Sequence, residues 1–361
     1  MLFLYNCSVL LLVWWVVTSS GGGEAKIKLP EGVVIPAILG FGDSIIDTGM
    51  NNYIPTVAKC NFPPYGEDLP DGNPTGRFCN GKTPIDLIAE ELGVKETVPP
   101  YLDPNLKPED LKTGVSFASG ACGYDPQSSQ YASTISLSEQ LDYFKEYLEK
   151  LKAAFGENET KFVTDNSLFL VVAGSNDISN TYFGLGLRRL QYPTVDSYAD
   201  FIVHKASTFI QELYGLGGRR IGVFSQVPIG CVPAVRTLAG GSERDCAERY
   251  NDAAELANAK LAAEIESLSG SLPPDARVVF IDIYRPMVDV IGNPGRYGLT
   301  ESGRGCCGTG DLEVSYLCNK LSATTCEEHD KYLFWDSFHP TEIGYKILID
   351  QILPGYVSRF I

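Results

Sequence analysis

Apolar positions along the chain fall into two patterns. Short continuous runs occur at Val33 to Leu39, Ser167 to Ala173 (SLFLVVA), Arg220 to Val227 (RIGVFSQV) and Arg277 to Ile283 (RVVFIDI), with a shorter one at Val115 to Ala118. Runs of this length, bounded by glycine and polar turns, predict strands buried on both faces. Between them the apolar residues recur at helical spacing. Thr83 to Leu92 opens with Pro84 and stops at Gly93. Leu137 to Phe155 begins at a capping box, Ser136 with Glu139, and sets Leu141, Phe144, Leu148 and Leu151 on one face before Gly156. Asp196 to Tyr214 turns Tyr198, Phe201, Ile202, Phe209 and Leu213 inward, and further helices are predicted over Asp245 to Leu268 and Thr341 to Ile352. Strands alternating with helices imply right-handed crossovers, hence an α/β fold of three α/β/α layers with a five-stranded parallel sheet. Ligands of such sheets collect beyond the carboxyl ends of the strands.

The segment Asn51 to Gly81 breaks both patterns, being dense in Pro, Gly and Asn. It predicts an irregular wall or lid, which a Cys60–Cys79 bridge could tie down. This segment and the apolar stretch Tyr182 to Leu190 either admit an acyl group or simply pack. No composition break or long linker divides the 361 residues, so 23–361 reads as a single domain. Residues 1–22 read as a secretory signal: the apolar run Ser8 to Thr18 is shorter than the roughly 20 residues a bilayer requires, and small residues follow it, placing cleavage between Ser20 and Ala25.

Removing Cys7 with that leader leaves nine of the ten cysteines, so an oxidising compartment leaves at least one thiol unpaired; Cys122, in a run of small residues, is the expected one. The cluster Cys306, Cys307, Cys318 and Cys326 lacks C-x-x-C spacing and favours disulfides over zinc. With 29 basic and 45 acidic residues the net charge is −16, which repels phosphate backbones and anionic headgroups. Nucleic acid is therefore not an expected partner, nor is stable membrane insertion; the oligomeric state is left open. Asn158-Glu159-Thr160 is a glycosylation sequon.

Candidate chemistry gathers at the predicted strand ends. Ser44 follows the first strand in LGFGDSIIDTGMNN, where Gly42 permits a sharp exit that presents the hydroxyl at the sheet edge. Of the three histidines, His204 falls on a polar helix face and His329 in the acidic run EEHD. His339 has Asp336 three residues earlier in FWDSFHPT, an acid and an imidazole suited to activate a serine. Asp336 is otherwise a turn carboxylate. Asn176, in GSND after the third strand, is either a turn former or an oxyanion donor through its side chain, and Gly120 after the second strand is either packing or a backbone donor.

The set FGDSIID at 41–47, SFASGACGY at 116–124, VVAGSND at 171–177 and YLFWDSFHPT at 332–341 closely resembles the plant GDSL-motif esterase/lipase family of the SGNH hydrolases. PPYG at 63–66, TGRF at 75–78 and the Cys306-Cys307 pair extend the resemblance over nearly the whole mature chain. It implies a flavodoxin-like SGNH hydrolase fold and a secreted serine esterase or lipase acting on small-molecule or lipid esters in the apoplast or cell wall. It further implies Ser44 as nucleophile, His339 as general base and Asp336 as its orienter. The oxyanion hole would comprise the Ser44 and Gly120 NH groups and the Asn176 side chain, with no metal or organic cofactor. Acyl transfer to an alcohol by the same residues, and a non-catalytic binding protein keeping the fold, are the alternatives. Ile45 stands where the family name has Leu, Met50 replaces an Asn, and Ala121-Cys122 replaces a more usual small-residue pair just past Gly120, departures that bear on the shape of the pocket.

Overall fold

The computed structural model describes residues 27–184, 186–321 and 323–361. The expected leader and its cleavage range lie outside the described residues. Four parallel strands form the main sheet in the order β1 (Ile38–Gly42), β2 (Leu168–Val172), β3 (Arg220–Phe224) and β4 (Arg277–Ile281). The predicted strand at Val115 to Ala118 runs along the outer side of β1 but is reduced to a bridge between Gly40 and Ser116, with NH bonds from Gly40 to Val115, Phe117 to Gly40 and Ser119 to Gly42. Counting that segment, the spatial order in chain sequence is 2-1-3-4-5, the flavodoxin-like arrangement. Its neighbours leave β1 on opposite sides, so the switch point of the topology lies at the end of β1.

The helices are α1 (Pro84–Glu91), α2 (Pro108–Thr113), α3 (Pro126–Ala132), α4 (Leu137–Phe155), α5 (Glu157–Asn166), α6 (Val195–Gly215), α7 (Pro233–Ala239), α8 (Glu248–Ser271), α9 (Tyr284–Gly292) and α10 (Glu342–Val357). Successive side chains of a strand point to opposite faces, and the core divides accordingly. Leu39, Phe41, Phe169, Val171, Ile221 and Val223 pack with α4, α6 and α8. Ile38, Leu168, Leu170, Val172, Val279 and Ile281 pack with α1 and α10. Phe41 lies at the centre of the first layer, 4.9 Å from Phe117 and 5.5 Å from Phe144 between ring centroids; burying such a ring is worth about 1.5–3 kcal/mol.

The capping box at Ser136 and Glu139 forms as expected and starts α4 at the predicted residue. Two boundaries differ by as much as five residues. The first strand begins at Ile38 rather than Val33, since Pro36 lacks an NH, and it runs through Gly40-Phe41-Gly42 before turning. The last helix continues past Ile352, with Pro354 inside it.

A second, two-stranded sheet pairs β5 (Glu301–Gly305) with β6 (Tyr332–Phe334). Disulfides Cys306–Cys326 and Cys307–Cys318 hold the loop between these strands, and Cys231–Cys246 joins the start of α7 to the approach to α8. Cys122 is free, as anticipated, but so are Cys60 and Cys79. The Asn51 to Gly81 wall is therefore not bridged. It is held instead by contacts such as the Ser315 hydroxyl donating to Lys59 O at 2.7 Å and the Asn52 amide donating to Thr75 O at 2.8 Å. Tyr182 is buried and stacks on Tyr198 at 4.8 Å, so the start of the Tyr182 to Leu190 stretch is packing. Asn158 is exposed in the first turn of α5.

Candidate active site

Gly42 ends β1 at φ 134°, and a Cβ there would lie 1.8 Å from the Val172 carbonyl oxygen. Only glycine fits so close a passage between strands. Beyond it the Ile46 and Asp47 NH groups return to the Asp43 carbonyl, forming the turn that carries Ser44. Both backbone groups of Gly42 are taken by one buried side chain of α4: Gln140 Oε1 accepts the Gly42 NH at 2.8 Å, and Gln140 Nε2 donates to its carbonyl at 2.9 Å.

The segment after β6 brings the imidazole to this turn. His339 Nε2 lies 2.8 Å from Ser44 Oγ, although 295 positions separate them, and His339 Nδ1 lies 2.9 Å from both carboxylate oxygens of Asp336. Asp336 is fully buried and also accepts the NH groups of Phe338 at 2.9 Å and His339 at 2.8 Å, which curls the segment around its own carboxylate. The Phe78 ring stands 5.1 Å from the imidazole and shields it. His204 is exposed on α6, while His329 contacts Glu67 at 3.1 Å and Asp68 at 3.4 Å, well apart from this cluster in its partners.

A crevice of about 290 Å³ opens on Ser44 and His339, with Ala121, Asn176, Val314 and Ser315 among its walls. Asn176 takes its place after β2: its Nδ2 donates to the Cys122 carbonyl at 2.9 Å, and its Oδ1 accepts from Asn180 at 2.9 Å. One amide hydrogen of Asn176 is left over. The expectation for Gly120 requires correction, because its NH donates to Asp47 Oδ2 at 2.8 Å and is not available to a substrate. The next residue, Ala121, reaches the crevice instead, in the left-handed region at φ 66°. Among the described residues, neither the Ser44 NH nor the Ala121 NH donates to a protein acceptor. A non-glycine residue at positive φ stores strain, and such strain concentrates at functional sites.

Buried acids brace the turns. Asp47 receives the NH groups of Gly49 and Met50, each at 2.8 Å, besides that of Gly120, and burial pushes its carboxyl up to about 6 against the pull of those bonds. Burial likewise lifts Asp43, beside Ser44, to about 7, opposed by the Ile45 NH and His339. Asp177 is lifted to about 8 by burial while accepting the Tyr124 NH at 2.8 Å and the Ser128 hydroxyl at 2.5 Å, which fastens the 120–128 turn to the end of β2. Tyr65, fully buried, donates to Asp336 Oδ2 at 2.8 Å and accepts the Ser315 NH at 2.8 Å. Asp47, Asp177 and Tyr65 stand in the segments FGDSIID, GSND and PPYG, and Gln140 on a capped helix, but nothing local to any of them signals its distant partner.

Residues 38–352 match the family described as GDSL-like lipase/acylhydrolase. The chain is 52% identical to the GDSL esterase/lipase EXL3 of Arabidopsis thaliana over 335 residues, covering 93% of this chain and 91% of the relative. It is 49% identical to GDSL esterase/lipase EXL2 of the same plant, covering 92% and 91%. Among solved structures it is similar to a catalytic mutant of the acetylxylan esterase Axe2 from Geobacillus stearothermophilus, at 14% identity and a TM-score of 0.38, covering 92% of this chain and 96% of that one.

Proposed function

The chain belongs to the GDSL-like lipase/acylhydrolase family, and from that premise we propose that it is a secreted serine esterase with Ser44 as nucleophile. Ser44 Oγ attacks the ester carbonyl carbon while His339 Nε2 takes the hydroxyl proton; Asp336 holds the tautomer and stabilises the imidazolium. The carbonyl oxygen becomes an oxyanion. Its donors are the Ser44 NH, the free amide hydrogen of Asn176 and the Ala121 NH, the last in place of Gly120. The tetrahedral intermediate collapses, the alkoxide leaves with the proton from His339, and Ser44 carries the acyl group. Water then enters, gives its proton to His339, attacks the acyl carbon and restores Ser44 as the carboxylic acid departs.

The observation that supports this reading most is the 2.8 Å approach of His339 Nε2 to Ser44 Oγ with Asp336 behind the ring. Export is supported by three disulfides, which persist in oxidising compartments, and among the described residues no helix is long and apolar enough to cross a membrane. A glycan on exposed Asn158 belongs to the same reading. Labelling by a fluorophosphonate, lost in Ser44→Ala, tests the nucleophile. A Ser44→Ala protein that retains esterase turnover would overturn the assignment.

A further inference from the structure

Two spaces meet beside Ser44. Ile45, Val227 and Phe338, all half-buried, line the crevice and also line a second space behind it. That second space is an almost wholly hydrocarbon chamber of about 30 Å³, lined further by Met287 of α9 and by Leu348 and Ile352 of α10. It lies against the carboxyl ends of β2 and β3, where Val172 and Phe224 form part of its wall. Native interiors leave few voids, and this one sits directly behind the residue that follows the nucleophile.

We propose that the chamber is the acyl subsite, receiving the methyl end of a short unbranched saturated chain, butanoyl to hexanoyl, that passes between Ile45, Val227 and Phe338. The assignment rests on the reading of Ser44 as the nucleophile. An apolar cavity of about 150 Å³ stays dry and holds benzene, or about 25 Å³ per carbon. A chamber of about 30 Å³ thus holds one terminal carbon, with the remainder of the chain in the crevice. The chamber's place behind Ile45, the residue that follows the nucleophile, suits the half of the ester that stays bonded to Ser44. The alcohol must leave before water reaches the acyl-enzyme, whereas the acyl group must stay. Ile45, standing where the family name has Leu, sets the width of the mouth with its β-branch.

The test is a series of 4-nitrophenyl esters, acetate through butanoate, hexanoate, octanoate and dodecanoate, measured as kcat/KM, with fluorophosphonate labelling run on the same samples. Wild-type protein peaks at butanoate or hexanoate. Val227→Phe, which plugs the mouth, lowers the hexanoate-to-acetate ratio about tenfold or more, the range a hydrophobic pocket gives for a methylene or two. Met287→Ala removes three heavy atoms from the chamber wall and moves the peak toward octanoate; Leu348→Val is a gentler enlargement that moves it the same way. Labelled, folded variants whose chain-length ratios match wild type would overturn the subsite while leaving the esterase reading intact. Absence of both labelling and turnover in wild-type protein would instead remove the reading beneath it.

Discussion

The phenol of Tyr65 donates a 2.8 Å hydrogen bond to Asp336, the carboxylate that faces His339, across 271 positions of sequence. Asp336 is thus held from both sides, by the imidazole and by a buried hydroxyl that is itself fixed by the Ser315 NH. Tyr65→Phe keeps the ring and removes the bond. Steady-state kinetics should give a kcat lowered about tenfold with KM within about twofold, because the lost bond bears on a charge that matters most in the transition state, and unfolding should be easier by about 1–3 kcal/mol. A KM change with kcat preserved would place Tyr65 in substrate binding instead.

Asn176→Ala removes a side-chain donor from the crevice without touching the serine or the imidazole. Turnover should fall about 10²- to 10³-fold, the usual cost of one oxyanion donor. Fluorophosphonate labelling should persist, more slowly. Ala121→Gly, by contrast, keeps the NH and relieves the positive φ, so its kcat should stay within a few-fold of wild type; a loss as large as that of Asn176→Ala would count against the backbone donor at this position.

Among the described residues, Gln140 is the one side chain that bonds both backbone groups of Gly42 at the end of β1, and the Gly42 carbonyl also accepts the Ser119 NH. Gln140→Met is similar in volume and leaves the buried Gly42 NH unpaired, at a cost of about 1–3 kcal/mol, while the carbonyl keeps the Ser119 NH. Urea unfolding should show a lower midpoint by an amount equivalent to about 1–3 kcal/mol at unchanged m. A variant as stable as wild type would mean that water replaces the amide.

Stability should peak on the acid side of neutrality. Asp47, Asp43 and Asp177 are raised by burial to about 6, 7 and 8, so each binds its proton more tightly folded than unfolded. The stability they contribute is complete below the ordinary carboxylate range and is lost as pH rises through about 6 to 8. Asp86 runs the opposite way: burial alone would raise it, but the bidentate pair with Arg77 and the Thr83 and Val98 NH bonds outweigh that and lower it. Its contribution is present above the ordinary carboxylate range and is lost as pH falls through its lowered value. Melting temperature followed by circular dichroism should therefore be higher near pH 5.5 than near pH 8, and should fall again in strong acid. A flat or rising curve above pH 6 would contradict the burial of these three acids.

The residues alone determined the layered α/β architecture, the limits of the capped helix at 137–155, and the set Ser44, Asn176, Asp336 and His339 at the sheet edge. Those features are written locally: an apolar run between turn residues, a capping box, or an acid three positions from an imidazole each signals itself within a few residues. The second sheet was illegible because β5, ESGRG, has no apolar alternation and is completed only by pairing with β6. Val115 to Ala118 reads as a strand from its composition, yet only the neighbouring β1 decides how little of it pairs.

Tertiary structure alone decided the rest. That Asp47 consumes the Gly120 NH, that Gln140 serves Gly42, that Tyr65 serves Asp336 and that Ile45 and Phe338 divide two spaces are all matters of which distant groups meet. A buried donor must find an acceptor, but many acceptors lie within the chain, and sequence spacing carries no record of which one the packing brings within reach.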